Sequence, residues 1–280
     1  MNNNTYFIFL MLGISFITGC QTITVSQKQF LIPDRPITQS LLDTDKRQQQ
    51  LEKIEFTTHD GVTLVGALIK TPNAKFTLLY FGGNMFRIEN QGADIVKDLG
   101  VFENNLVIFD HRGYGLSQGV PNIDNMRLDA NAIFDFIKSH PPTKDLPVIV
   151  HGLSLGSMVA GSLSNDRKID GLVLEGSTTN PEAMIYTQIP WFARPFIELK
   201  FDKALDQIDN TERLNRYTNP LLILVGENDQ QTPLLLSESL FEQAQSNNKT
   251  LLVMPGKGHG NATNHKSFMA QYQQFINQVL

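Results

Sequence analysis

Six short apolar runs without polar alternation constrain this chain more than any other feature. They are "FTLLYF" (76–81), "LVIFD" (106–110), "PVIV" (147–150), "GLVLE" (171–175), "PLLILV" (220–225) and "TLLVM" from 250. A strand that is apolar on both sides must be covered on both sides, and stretches of helical period lie between these runs. Over 122–139, for example, Met126, Ala130, Ile133, Phe134 and Ile137 share one helical face. Strands that alternate with helices predict an α/β fold, with a mainly parallel central sheet and helices on both faces. Ahead of these runs, "KIEFTTHDGVTLVGALIK" reads as two strands around a His59-Asp60-Gly61 turn, so regular structure is expected to begin near Leu51. A final helix is expected from about Asn264 to Val279.

The chain has 280 residues, 41% hydrophobic and 18% charged, which is enough to bury a substantial core in one catalytic-sized domain, 51–280. Its formal charge of -5 and the absence of an extended Lys/Arg block argue against nucleic acid as a partner. The interval from about 178 to 219 is too long for an ordinary connection and carries "YTQIPWFARPFIELKF". It is read as a small cap whose apolar underside, Ile189, Trp191, Phe192, Phe196 and Ile197, forms a substrate pocket. The other reading is that these side chains pack the excursion down onto the domain.

The N-terminus follows a different pattern. "YFIFLMLGISFITG" from Tyr6 is uncharged and mostly apolar, and it is shorter than the roughly 20 residues of a bilayer-spanning helix. With Cys20 it closes on "ITGC", which resembles the lipobox of bacterial lipoprotein signal peptides. That resemblance implies a signal peptide over 1–19, a lipidated Cys20, a tether over 20–50, and a membrane-anchored lipoprotein of the bacterial cell envelope. An uncleaved anchor and an ordinary secretory signal are the other readings. A lone cysteine cannot close an internal disulfide.

Gly152-Leu153-Ser154-Leu155-Gly156 falls where the run "PVIV" gives way to the helical "LGSMVAGSL". A serine at such an elbow is held in strained backbone geometry that projects its hydroxyl, and the flanking glycines relieve crowding. A serine hydroxyl needs a base, and the base needs an orienting carboxylate, in the chain order acid then histidine. "LLILVGENDQQTP" offers Glu227 and Asp229, and "LLVMPGKGHGN" offers His259. Asp229 lies farther into its loop and is the preferred acid, with Glu227 bracing the turn, while His265 is assigned to the terminal helix. The oxyanion needs backbone N–H donors. Leu155 supplies one, and Asn84 in "FGGNMF", with Met85 as second choice, supplies the other.

With these residues in place, the chain from about 52 to 280 resembles the α/β-hydrolase superfamily, most closely small-cap serine hydrolases grouped with the BEM46-like and ABHD-type proteins. "GGNMFR" is similar to their His-Gly-Asn oxyanion loop and "FDHRGYGLSQG" to their Asp-Tyr-Arg-Gly-Tyr-Gly-x-Ser motif. "HGLSLG", "VGENDQQTP" and "GKGHGN" fall at their nucleophile, acid and histidine positions. The resemblance implies the triad Ser154, Asp229 and His259, oxyanion amides at Asn84 and Leu155, and no cofactor or metal. Gly82 stands where relatives carry histidine and His111 where they carry tyrosine, and Asp110 and Arg112 are expected to brace the loop. The expected reaction is hydrolysis of a small-molecule or lipid carboxylic ester through an acyl-serine. Amide or peptide hydrolysis and a noncatalytic binding lipoprotein are the alternatives. A dinucleotide turn is excluded by the glycine spacing of "YFGGNMFRIENQG", and the six histidines form no metal-ligand spacing.

Overall fold

The computed structural model describes residues 21–34 and 50–280. In chain order the elements are β1 (Gln21–Val25), α1 (Gln27–Phe30), β2 (Gln50–Thr57), β3 (Thr63–Lys70), β4 (Phe76–Phe81), α2 (Ile88–Leu99) and β5 (Asn104–Phe109). They continue with α3 (Ile123–Ser139), β6 (Val148–Leu153), α4 (Leu155–Asp166), β7 (Gly171–Glu175), α5 (Pro181–Gln188), β8 (Ile197–Phe201) and α6 (Asn210–Leu214). The last four are β9 (Leu221–Gly226), α7 (Leu234–Gln243), β10 (Lys249–Met254) and α8 (Phe268–Val279).

Eight strands form one sheet in the order β10-β9-β7-β6-β4-β5-β3-β2. The β2–β3 and β3–β5 pairs are antiparallel and the other pairs parallel. All six apolar runs are strands of this sheet. Because side chains alternate across a strand, β4 sends Leu79 and Phe81 into one core, and Phe76, Leu78 and Tyr80 into the other. The first core is closed by α3, α4, α6 and α7, and the second by α2 and α8. Met126, Ala130, Ile133, Phe134 and Ile137 are all buried on α3, and the Asn122 side chain caps its start by accepting from the Asn125 N–H. The terminal helix begins at Phe268, later than expected, because Ala262–Asn264 is a single 3-10 turn.

The interval between β7 and β9 forms a helical cap insertion with α5, β8 and α6. Pro181 at the first turn and the Asn180 side chain on the Ala183 N–H start α5. The strand β8 does not join the central sheet. It pairs in parallel with β1, from Gln21 opposite Ile197 to Val25 opposite Phe201.

That pairing corrects the tether reading over residues 21–34. They lie on the domain, where Leu31 is 4% exposed in the core and the Gly115 N–H donates to the Asp34 carbonyl at 2.8 Å. Among the described residues no helix is long and apolar enough to cross a membrane. Cys20 and the apolar stretch before it lie outside the described residues.

Candidate active site

At the C-terminal end of β6 the chain turns into α4 through Ser154, whose backbone adopts φ 54° and ψ -115°. A side chain in that region is strained, and the strain points the serine out of the sheet edge. Both glycines of the motif are required by close approach. A side-chain carbon at Gly152 would stand 2.1 Å from the Gly156 carbonyl oxygen, and one at Gly156 only 2.0 Å from that of Phe81. The Ser154 N–H donates to the Glu175 carbonyl at 2.9 Å, tying the elbow to β7.

Next along the sheet edge is Gly176, in the left-handed region at φ 51°. A side-chain carbon there would lie 3.1 Å from His259 Cε1 and 3.4 Å from Asp229 Oδ2, so this position must stay bare for the histidine to sit beside the elbow. His259 Nδ1 lies 2.8 Å from Asp229 Oδ2. Asp229 is buried, and its other oxygen accepts the N–H groups of Gln231 and Thr232, both at 2.8 Å. The Thr232 hydroxyl donates to Asp229 Oδ2 at 2.9 Å. Burial pushes the Asp229 pKa up. The hydrogen bond and charge of His259, with the bonds from Thr232, outweigh it and hold the carboxyl below its ordinary value. Glu227 stays apart from His259 and, rather than bracing only its own turn, accepts the Gly256 N–H in the histidine loop at 2.8 Å. His265 precedes α8 and bonds Ser267 instead.

The loop after β4 closes the other side of the serine, and a side-chain carbon at Gly83 would stand 3.4 Å from Ser154 Cβ. Among the described residues, the backbone N–H groups of Asn84 and Leu155 donate no hydrogen bond, whereas that of Met85 is directed to the Ile32 carbonyl at 3.3 Å. Of the two amides considered in this loop, that of Met85 is thus already engaged. Phe86 fills the space that a side chain at Gly82 would need, at 2.0 Å, and His111 Nε2 lies 2.8 Å from the Gly82 carbonyl oxygen. Asp110 accepts the Ile88 and Leu116 N–H groups at 2.9 Å each, so it braces the loop as expected, and burial lifts its pKa to about 6. Arg112 does not reach this loop. It pairs with Asp129 on α3 and with Asp60 in the β2–β3 turn.

A family model described as serine aminopeptidase, S33, matches residues 90–208. The fission yeast protein bem46 is 29% identical over 189 residues, covering 66% of this chain and 62% of its own length. Lysophosphatidylserine lipase ABHD12 of Macaca fascicularis is 32% identical over 181 residues, 60% of this chain and 45% of that protein. The Pyrococcus furiosus esterase Pf2001 superimposes with a TM-score of 0.69 at 19% identity, over 89% of this chain and 98% of that one. The chain has the α/β-hydrolase fold. It spans less than two thirds of the length of bem46.

The expectation of a lipid-anchored envelope protein is corrected at this point. The relatives and solved structures match the globular hydrolase domain, and no finding supports a lipidated Cys20 or a membrane partner through it. In the hydrolase cap, the five proposed pocket residues separate. Ile189 and Ile197 are half-buried, whereas Trp191, Phe192 and Phe196 are 78%, 63% and 63% exposed. Pro190 and Pro195 flank this turn, and the Trp191 and Phe192 rings meet edge to face at 6.0 Å. The cap instead reaches the site through Gln188, whose Nε2 donates to the carbonyls of Gln230 and Gln231 beside Asp229. Sequence reasoning missed Thr232 and Gly176 as site residues. The pattern Asp-x-x-Thr ahead of Pro233 was a usable signal for the first, since a threonine three residues after the acid can turn back onto it.

Proposed function

We propose that this hydrolase cleaves carboxylic esters through an acyl-serine, with Ser154 as nucleophile, His259 as base and Asp229 as its orienting partner. The observation that carries the reading is the 2.8 Å contact between Asp229 and His259 beside a serine held at φ 54°. In the first half-reaction the Ser154 hydroxyl attacks the ester carbonyl as His259 Nε2 takes its proton. Asp229 accepts the hydrogen bond from Nδ1–H, which fixes the tautomer and stabilises the imidazolium. The amides of Asn84 and Leu155 hold the developing oxyanion, a contribution of about a hundredfold or more per donor in comparable sites. The alcohol leaves with the proton from His259. Water then gives a proton to the same nitrogen as it attacks the acyl carbon, and His259 returns that proton to the departing Ser154 oxygen as the acid is freed.

The acyl group is placed against Leu153, which is half-buried between the oxyanion and histidine loops. Side-chain carbons at Gly83 and Gly260 would lie 3.9 and 3.3 Å from it. With the three cap aromatics turned outward, a short or moderately apolar acyl chain suits this site better than a long one. Amide hydrolysis is the second reading, favoured by the match to a family described as a serine aminopeptidase. A panel of p-nitrophenyl esters of increasing chain length, glyceride and phospholipid esters, and aminopeptidase substrates separates the readings, with Ser154→Ala as blank. Ester turnover that peaks at short or medium chains is expected. Faster Ser154-dependent cleavage of peptides than of every ester would replace the ester reading.

A further inference from the structure

We propose that residues 21–34 are a positioning strap for the oxyanion loop, so that Ile32 and Asp34, remote in sequence from every catalytic motif, act on the reaction through Asn84. The inference rests on the reading of Ser154 as nucleophile and the Asn84 amide as oxyanion donor. The strap grips that loop at successive points. The Ile32 N–H donates to Asn84 Oδ1 at 3.1 Å, Asn84 Nδ2 donates to the Phe30 carbonyl at 2.9 Å, and the Met85 N–H donates to the Ile32 carbonyl at 3.3 Å. Asp34 Oδ2 lies 3.2 Å from Arg87 Nε, just past the loop. Tyr114 completes the cradle by donating its hydroxyl to Asn84 Oδ1 at 2.8 Å. With the Asn84 side chain held by three hydrogen bonds and its N–H donating none among the described residues, its backbone is fixed with that N–H open to the substrate.

The strap is itself anchored at places the oxyanion loop does not touch. Leu31 is buried in the core, the Gln27 N–H donates to Asp202 Oδ2 at the end of β8, and Gln27 Oε1 accepts the Ile123 N–H at the start of α3. Together with the pairing of β1 to β8, this links the cap to the oxyanion loop through a short piece of chain. Met85 sits at φ 61°. A non-glycine residue in that region is retained only where its surroundings over-determine it, and the strap supplies those surroundings.

The role predicts a loss in the transition state rather than in substrate binding, because an oxyanion donor acts when charge develops. In the full chain, Ile32→Pro removes the N–H that Asn84 accepts, Ile32→Ala trims the same side chain but keeps it, and Asp34→Ala removes the ion pair without altering the backbone. With a short-chain p-nitrophenyl ester, Ile32→Pro should lower kcat about tenfold with KM within about twofold, and Asp34→Ala should lower it by a smaller factor. Ile32→Ala should retain more kcat than Ile32→Pro, and amide exchange over 82–88 should accelerate in Ile32→Pro. If folded Ile32→Pro and Asp34→Ala keep wild-type kcat and wild-type exchange over 82–88, the strap has no positioning role. Should Ile32→Pro fail to fold, Asp34→Ala with the exchange measurement decides alone. A wild-type chain with no Ser154-dependent turnover or labelling would instead sink the hydrolase reading, and the strap's catalytic role with it.

Discussion

Gly156 is the residue on which the elbow depends most. Any side chain there meets the Phe81 carbonyl at 2.0 Å, and backbone cannot swing aside as a flexible side chain can. Gly156→Ala should therefore destabilise the fold by about 3 kcal/mol or more, read as a lower denaturation midpoint, whereas Gly256→Ala, whose added carbon meets nothing within 4 Å, should cost only backbone strain. Asp229 carries a pH dependence. Its folded pKa is held below the ordinary carboxyl value near 3.9, so the ionised form contributes stability that is fully present above that value and lost as the pH falls through the folded one. Acid unfolding should show that loss in wild type, and Asp229→Asn should flatten it below about pH 4. A mutant as acid-sensitive as wild type would place the effect elsewhere. The elbow position of Ser154 and the loop positions of Asp229 and His259 after β9 and β10 were legible because each place demands particular neighbours in sequence. The contact of His111 with the Gly82 carbonyl was not, since residues 29 positions apart meet only once β4 and β5 stand side by side.

At the scale of elements, the six apolar runs read directly as strands because burial on both faces leaves one pattern. The cap was harder. The excursion from 178 was visible by length, but β8 is half-exposed and finds its partner in β1, some 170 positions away, a pairing that no local pattern encodes. The aromatics of "PWFARPF" read as a pocket because large apolar side chains are usually buried, yet Trp191, Phe192 and Phe196 face outward, largely exposed. Trp191→Ser should consequently leave the acyl-chain profile of ester hydrolysis unchanged, while Leu153→Ala should shift the preferred length, each methylene accepted by an apolar wall being worth about 1 kcal/mol or more of discrimination. A Trp191→Ser protein that loses longer chains selectively would return that turn to the substrate path.

The whole molecule brings its site together from widely separated parts of the chain. The β4 loop, the β6 elbow, the β9 acid and the β10 histidine all fall at the carboxyl edge of one sheet, where parallel strands deliver their following loops to a common side. Arg213, inserted between cap and core with bonds to the Met158 carbonyl, Asn210 and the Gln207 carbonyl, ties that insertion to the nucleophile helix. Burial lowers its pKa to about 10, so it stays charged at neutral pH. The central claim is that this convergence makes Ser154 a nucleophile. Intact-mass analysis after exposure to a fluorophosphonate tests it most directly. Wild type should gain one adduct that maps to the peptide containing Ser154, folded Ser154→Ala should gain none, and His259→Ala should label slower by about a thousandfold. Equally strong labelling of folded Ser154→Ala would contradict the account.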